Sequence, residues 1–98
     1  MDVPPRRRVT EREIRERFHT GGFAAQIEAG LLREVVVKDR PCPLASEPAG
    51  TRSQMVAYFD GLRRVALLHR YLRPDGTVGA SGMPDPKELF DGDVLYFV

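Results

Sequence analysis

The spacing of apolar residues changes along the chain, and this change divides it into a helical part and a sheet-forming part. Ile14 and Phe18 lie four residues apart, and Phe23 and Ile27 repeat that spacing after two glycines. Apolar residues with this spacing share one face of a helix. The pattern therefore predicts two short helices that are separated at the glycines.

Local signals indicate where these helices begin and end. Thr10 precedes Glu13 by three residues, which is the pattern of a capping box. Val9 and Ile14 occupy the positions of a hydrophobic staple around this cap. Gly30 is placed to end the second helix, because glycine readily adopts the left-handed conformation of a C′ residue.

The rest of the chain predicts strands and loops. Three consecutive valines within residues 34–39 favour a strand, and residues 94–98 predict the last one. Residues 40–51 contain three prolines and predict a loop. Residues 74–93 predict a long turn-rich excursion, in which residues 87–90 add one helical turn.

Residues 52–73 are open to two interpretations. Asp60 and Gly61 form a type I′ turn if the apolar runs on either side are strands. Asp60 instead caps a helix over residues 61–71 if the good helix formers in that segment dominate. We favour the hairpin, because residues 54–59 are poor helix formers.

The turn also predicts the hairpin register. A two-residue turn at these positions places Phe59 opposite Leu62 and Arg52 opposite His69. Tyr71 follows His69 on the same face of the strand. The register therefore predicts that Arg52, His69 and Tyr71 share one rim of the sheet.

Together these elements predict a single small α+β domain over residues 9–98. Its two short N-terminal helices pack on a mainly antiparallel sheet of about four strands. Residues 1–8 contain two prolines and the arginine triplet Arg6 to Arg8. They predict a flexible arginine-rich arm without regular structure.

Composition narrows the class of protein. The 98 residues are 42% hydrophobic and 30% charged, which indicates a folded soluble domain without a membrane partner. Charged residues follow the arginine triplet where a signal peptide needs an apolar segment, so we expect a cytoplasmic protein. Cys42 is the only cysteine, which excludes an internal disulfide. His19 and His69 lie on different predicted elements, and no metal or cofactor site is predicted.

Charge is distributed unevenly, although the formal net charge is only +1. Residues 52–73 carry five arginines against Asp60, whereas residues 74–98 carry one lysine against five carboxylates. Two interpretations stay open. The basic hairpin pairs with the acidic C-terminal segment, or it presents a basic face to an anionic partner.

The second interpretation gives the main functional hypothesis, a small nucleic-acid-binding accessory protein that uses the basic hairpin and binds RNA. Arginine binds phosphate groups, and tyrosine offers a surface on which bases stack. The predicted contact residues are Arg52, Arg63, Arg64, Arg70, Arg73 and Tyr71. The alternative is a protein-interaction module that acts as an accessory subunit or inhibitor of a larger complex.

A metal-independent, ribonuclease-like toxin is the third hypothesis. His69 changes protonation near neutral pH, and Tyr71 and Arg52 supply a second proton-transfer group and a cation. His69 is the expected acid or base. Two N-terminal helices followed by an antiparallel sheet resemble the layout of small bacterial ribonucleases of the barnase and RelE kind, which implies RNA cleavage. The second helix with residues 29–37 also resembles the recognition helix and wing of a winged helix-turn-helix domain.

Overall fold

A six-stranded mixed sheet and two helices form the framework of the protein in the computed structural model, which describes residues 3–98. The helices are α1 (Glu11–Thr20) and α2 (Phe23–Glu28). The strands are β1 (Arg6–Arg8), β2 (Arg33–Pro41), β3 (Arg52–Asp60), β4 (Arg63–Leu72), β5 (Asp85–Asp91) and β6 (Val94–Phe97). They lie in the spatial order β1, β6, β5, β4, β3, β2, and each neighbouring pair is antiparallel except β1 with β6. The predicted α+β class is confirmed, with more strands than expected.

The signals predicted at the helix ends are present. The hydroxyl of Thr10 accepts a hydrogen bond from the backbone N–H of Glu13 at 3.1 Å, which forms this half of the capping box. Gly30 follows Ala29, the C-cap of α2, and has a φ of 73°, as expected of a C′ glycine. Within residues 3–98, no helix is long and apolar enough to cross a membrane.

The hydrophobic core lies between the helices and one face of the sheet. Tyr58, Ala66, Leu89 and Tyr96 stand opposite one another across β3, β4, β5 and β6. They share one core cluster with buried side chains from both helices, namely Ile14, Phe18 and Phe23. Because side chains alternate along a strand, the residues between these core positions lie on the opposite face.

The predicted helical turn at residues 87–90 is wrong, because these residues lie inside β5. Leu89 is fully buried beneath the helices, and Pro86, three residues earlier, is also buried, so a bulge interrupts the alternation within this strand. Pro86 makes this strand hard to recognise in the sequence, because proline is uncommon within strands. It is tolerated because the β4–β5 register shifts between Leu67 and Leu68, and a bulge removes the need for a regular ladder hydrogen bond.

The prediction that residues 1–8 form an arm without regular structure is wrong for residues 6–8. Residues 6–8 form β1 and pair in parallel with β6. The N–H of Val9 extends this pairing by donating to the carbonyl of Phe97 at 2.8 Å. Residues 1 and 2 of the predicted arm lie outside the described residues.

The hairpin interpretation of residues 52–73 is confirmed, but its register differs from the prediction. Phe59 stands opposite Arg64, and the two-residue loop consists of Gly61 and Leu62. Gly61 has a φ of 61°, whereas Leu62 does not have a positive φ. A positive φ at the first loop position alone is the type II′ arrangement, which accepts glycine there, while type I′ requires two positive φ angles.

The segment that resembles a winged helix-turn-helix domain is built differently. α2 has six residues and contains no basic side chain. β2 pairs with β3 as an edge strand of the large sheet rather than in a separate wing. β2 therefore belongs to the large sheet and does not form a wing.

Leu68→Ala tests the one-sided core. Leu68 is 1% exposed, so we expect the substitution to lower the free energy of unfolding by about 2–5 kcal/mol in urea titrations. Leu62→Ala is the matched control, because Leu62 is 98% exposed at the hairpin loop, and its effect should stay within about 0.5 kcal/mol. Equal effects of the two substitutions would contradict the assigned register.

Candidate nucleic-acid interface

The face of the sheet opposite the helices carries aromatic and basic side chains, and we call it the open sheet face. Its central row consists of Ala57, Leu67, Glu88 and Phe97, which stand opposite one another and alternate with the core row. Leu67, Glu88 and Phe97 are half-buried. The same alternation adds six more residues to the open sheet face: Met55, Phe59, His69, Tyr71, Phe90 and Leu95.

Two arginines of β1 lie over an aromatic ring of β6. The guanidinium carbons of Arg6 and Arg8 are 5.0 and 5.2 Å from the ring centroid of Phe97. Arg8 stands opposite Phe97 in the register, so both arginines project onto the open sheet face. Sequence reasoning assigned these arginines to the arm. The available signal was their spacing of two residues, which is typical of one face of a strand.

The same arrangement recurs at two other phenylalanines. The guanidinium carbon of Arg63 lies 3.8 Å from the ring centroid of Phe90, and Arg33 lies 4.7 Å from that of Phe59. Arg63 is held in place by a hydrogen bond that it donates to the carbonyl of Gly92 at 3.0 Å. Each such cation–π contact contributes about 0.5–1 kcal/mol at an exposed site.

Among the described residues, the arginines over these rings are not paired with carboxylates. Within residues 3–98, no acidic oxygen lies within 4.0 Å of the guanidinium nitrogens of Arg6, Arg8, Arg33 or Arg63. Arg64 adds a further positive charge beside them, but it pairs with Glu88 at 3.4 Å. The open sheet face therefore carries an excess of positive charge next to aromatic rings.

Half of the predicted nucleic-acid contact residues lie elsewhere. Arg63, Arg64 and Tyr71 are near or on the open sheet face. The other three predicted arginines are each held by a carboxylate from another segment: Arg52 by Asp39 at 2.8 Å, Arg70 by Glu34 at 3.0 Å and Arg73 by Glu47 at 2.8 Å.

The carboxylates of the acidic C-terminal segment pair mostly with arginines outside the basic hairpin. Asp85 and Asp91 face arginines of α1, with Arg15 at 3.8 Å and Arg17 at 3.7 Å. In the described part of the chain, the ion pair that joins the basic hairpin to this segment is that of Arg64 with Glu88. Pairing between hairpin and C-terminal segment is therefore a minor feature.

The predicted catalytic candidates are separated by the register. His69 and Tyr71 share the open sheet face, and their rings meet edge to face with centroids 4.7 Å apart. Arg52 stands opposite Leu72, whereas Ser53 stands opposite Tyr71, so Arg52 projects from the other face. The prediction that all three share a rim is wrong.

The imidazole of His69 contacts a side chain of the neighbouring strand β3. Its Nε2 lies 2.8 Å from the hydroxyl oxygen of Ser53. Burial lowers the pKa of His69 below its ordinary value, and the positive charge of Lys87 lowers it further. The imidazole is therefore mainly neutral at pH 7, which suits a proton acceptor or a hydrogen-bonding group.

A polar cluster on the helix side of the sheet holds Arg70. Its Nε donates to the side-chain oxygen of Gln54 at 3.0 Å, and its Nη2 donates to Glu34, also at 3.0 Å. Glu34 accepts a second hydrogen bond from the hydroxyl of Tyr58 at 2.9 Å. Burial, together with this bond to the carboxylate, raises the pKa of Tyr58 to about 12. These contacts fix the guanidinium of Arg70 in one position.

A cavity of about 370 Å³ opens at the end of the sheet between α1, β4 and residues 79–86. His19 and His69, predicted to lie on different elements, both line this cavity. In the described residues, no three His, Cys, Asp or Glu side chains converge in a way that could hold a metal ion. The side chains around this cavity are therefore suited to hydrogen bonding and ionic contact.

Glu47 fastens the segment that closes this cavity. Its carboxylate accepts hydrogen bonds from Arg73 Nε at 2.8 Å and from the N–H of Ala80 at 2.6 Å. Ala80 has a φ of 54°, an unfavourable conformation for a residue with a Cβ. A Cβ at Gly79 would lie 2.7 Å from the Glu47 carboxylate, so a side chain there would displace this carboxylate from its position. The hydrogen bond from Arg73, followed by that from Ala80, lowers the pKa of Glu47 below its ordinary value.

Comparisons with family models, curated proteins and solved structures find no match for this chain. The similarity in layout to small bacterial ribonucleases therefore has no counterpart in a measured sequence or structural relationship. The chemistry of the open sheet face and of the cavity has to be inferred from their own residues.

Glu47→Gln tests the role of this carboxylate through pH. Because the pKa of Glu47 in the folded protein lies below 4.5, its stabilising effect is present above pH 4.5 and is lost as pH falls through the folded-state pKa. We expect the variant to melt at a lower temperature than the parent at pH 7, with a difference that narrows below pH 4.5. Glu28→Gln, at an exposed position in α2, should have little effect at either pH. A difference between Glu47→Gln and the parent that is constant from pH 7 to pH 3 would contradict this role.

Proposed function

We propose that this protein binds single-stranded nucleic acid, with RNA as the expected ligand, on the open sheet face. The observation that carries the proposal is the set of arginines that lie over phenylalanine rings and have no carboxylate partner among residues 3–98. Guanidinium groups bind phosphate oxygens, and both guanidinium planes and aromatic rings provide stacking surfaces for unpaired bases. This combination supports contacts to the backbone and to the bases of the same strand.

The positions of the rings support an extended ligand rather than a single nucleotide. Phe97 and Phe90 lie on the neighbouring strands β6 and β5, whose backbones are about 4.8 Å apart. Phe59 lies on β3, two strands beyond β5, which adds roughly 10 Å. A strand of nucleic acid crossing the sheet would meet the rings in succession, each with an arginine beside it.

The proposed contact set revises the one predicted from the sequence. It retains Arg63, Arg64 and Tyr71 and adds the β1 and β2 arginines that lie over Phe97 and Phe59. Arg52, Arg70 and Arg73 are assigned to internal ion pairs. Their removal would disturb the fold before it disturbed ligand binding.

Arg33→Ala combined with Arg63→Ala tests the electrostatic contribution. We expect the double variant to bind a fluorescent single-stranded RNA oligonucleotide at least tenfold more weakly at low salt in anisotropy titrations. The slope of log K against log salt concentration should fall by about 0.7 for each lost phosphate contact. Arg7→Ala combined with Arg12→Ala is the control, because it removes the same charge from the helix side. Equal loss in both double variants, or no binding by the parent protein at low salt, would contradict the proposal.

Phe59→Leu tests stacking separately from charge. Leucine keeps an apolar side chain on the sheet but removes the ring, and base stacking on an aromatic side chain contributes about 1–3 kcal/mol. We expect RNA affinity to fall by about fivefold to 150-fold while Arg33 and the fold remain intact. Circular dichroism reports the fold, and unchanged RNA affinity in a folded variant would exclude stacking at Phe59.

Protein interaction is the second candidate, and one observation favours it. β2 is a nine-residue edge strand whose Val36 and Val37 are 42% and 51% exposed. An exposed edge offers free backbone groups to an added strand. Association that persists at high salt and is lost in Val37→Pro would support this candidate.

The RNA assay also addresses the ribonuclease hypothesis. Cleavage by His69 would shorten the oligonucleotide during incubation, and His69→Ala would prevent that shortening. Intact RNA after prolonged incubation with the parent protein would exclude ribonuclease activity under the assay conditions.

A further inference from the structure

The cavity beside β4 lies where the sheet splits. β5 begins at Asp85, which stands opposite His69, while β4 continues to Leu72. Beyond this point β4 meets the returning chain again, because the N–H of Gly79 donates to the carbonyl of Tyr71 at 2.7 Å. The resulting gap lies at the end of the sheet, apart from the phenylalanine positions of the open sheet face.

Arg70 is one of the residues that line the cavity, and its side chain is held in place. Its side chain is 16% exposed, and Gln54 and Glu34 each accept one of its hydrogen bonds. A guanidinium group has five N–H donors, so the remaining donors are available to a further acceptor. Since its neighbours already hold the group in place, a ligand would not have to order it.

Arg15 brings a second cation from α1. Its carboxylate neighbour Asp85 lies 3.8 Å away and is also 3.5 Å from Lys87. One carboxylate therefore serves two cations, and Glu34 faces Arg70. The local excess of positive charge favours an anionic ligand.

Imidazole and hydroxyl side chains and the carboxylate of Asp85 also line the cavity. His19, His69 and Ser81 line the cavity together with the two arginines. The segment that carries Ser81 is held by the contact between Glu47 and Ala80. The cavity wall thus combines two arginines with the imidazole groups of α1 and β4 and with a hydroxyl group on a fastened loop.

We propose that this cavity binds a phosphate monoester. A phosphate monoester carries about −1.5 to −2 charges at pH 7 and three strong acceptor oxygens, which matches the cations and donors of the wall. A cavity of about 370 Å³ falls within the usual size of small-ligand sites. The phosphate belongs either to a small molecule, such as a nucleoside monophosphate, or to the terminal phosphate of an oligonucleotide.

Titration of the full chain with adenosine monophosphate, followed by backbone and imidazole NMR signals, tests this site. We expect shifts in residues 79–86 and in the imidazole signals of His19 and His69. Arg15→Ala should weaken binding at least tenfold. Arg12→Ala, one turn away on the exposed surface of the same helix, should leave binding unchanged. Absence of shifts with both adenosine monophosphate and a 5′-phosphorylated oligonucleotide would overturn the proposal.

A second pair of titrations identifies the source of the phosphate. Shifts at residues 79–86 caused by a 5′-phosphorylated oligonucleotide but not by its 5′-hydroxyl counterpart or by adenosine monophosphate would support a terminal phosphate. Shifts with adenosine monophosphate as well would support a general monoester site. Arg33→Ala combined with Arg63→Ala should leave binding of adenosine monophosphate intact, which separates this site from the open sheet face.

Arg70→Lys keeps the positive charge but loses the planar guanidinium group. Unaltered binding of adenosine monophosphate by that folded variant would also overturn the proposal.

Discussion

Burial on one face of the sheet is the constraint on which the other features depend. The two helices fill only the face that carries Tyr58, Ala66, Leu89 and Tyr96. Strand register must align these residues with the helices, because a slip of one position would turn the core side chains to solvent. The bulges in β2, β4 and β5 preserve this alignment where the sequence does not alternate regularly. The open sheet face is a consequence of the same constraint.

Much of the fold could be predicted from local signals. The cap at Thr10, the glycine at position 30 and the Asp60–Gly61 turn region act over a few residues, and each produced the expected element. The register could not be predicted in the same way. The register depends on which side chains pack against the helices. The turn alone does not determine it, and the observed strand pairs differ from the predicted ones by two or three positions. β5 was missed because a proline interrupts its pattern at a bulge.

The candidate site was predicted less well than the fold, because a cluster of arginines in sequence is not a basic surface. Arg52, Arg70 and Arg73 each meet a carboxylate from a distant segment, and such long-range pairs leave no local signal. Conversely, Arg6 and Arg33 are separated in sequence from the basic hairpin, yet strand pairing brings them to the same face. Only tertiary pairing distinguishes an arginine that stabilises the protein from one that is available to a ligand.

The parallel pairing of β1 with β6 joins residues from opposite ends of the described chain. During synthesis, β1 emerges first but has no partner until β6 has been made, so this pair is among the last parts of the sheet to form. Loop closure over so many residues is slow compared with local hairpin formation. The arginines over Phe97 consequently reach their positions only after β6 has been made. A nascent chain without β6 would lack this part of the basic surface.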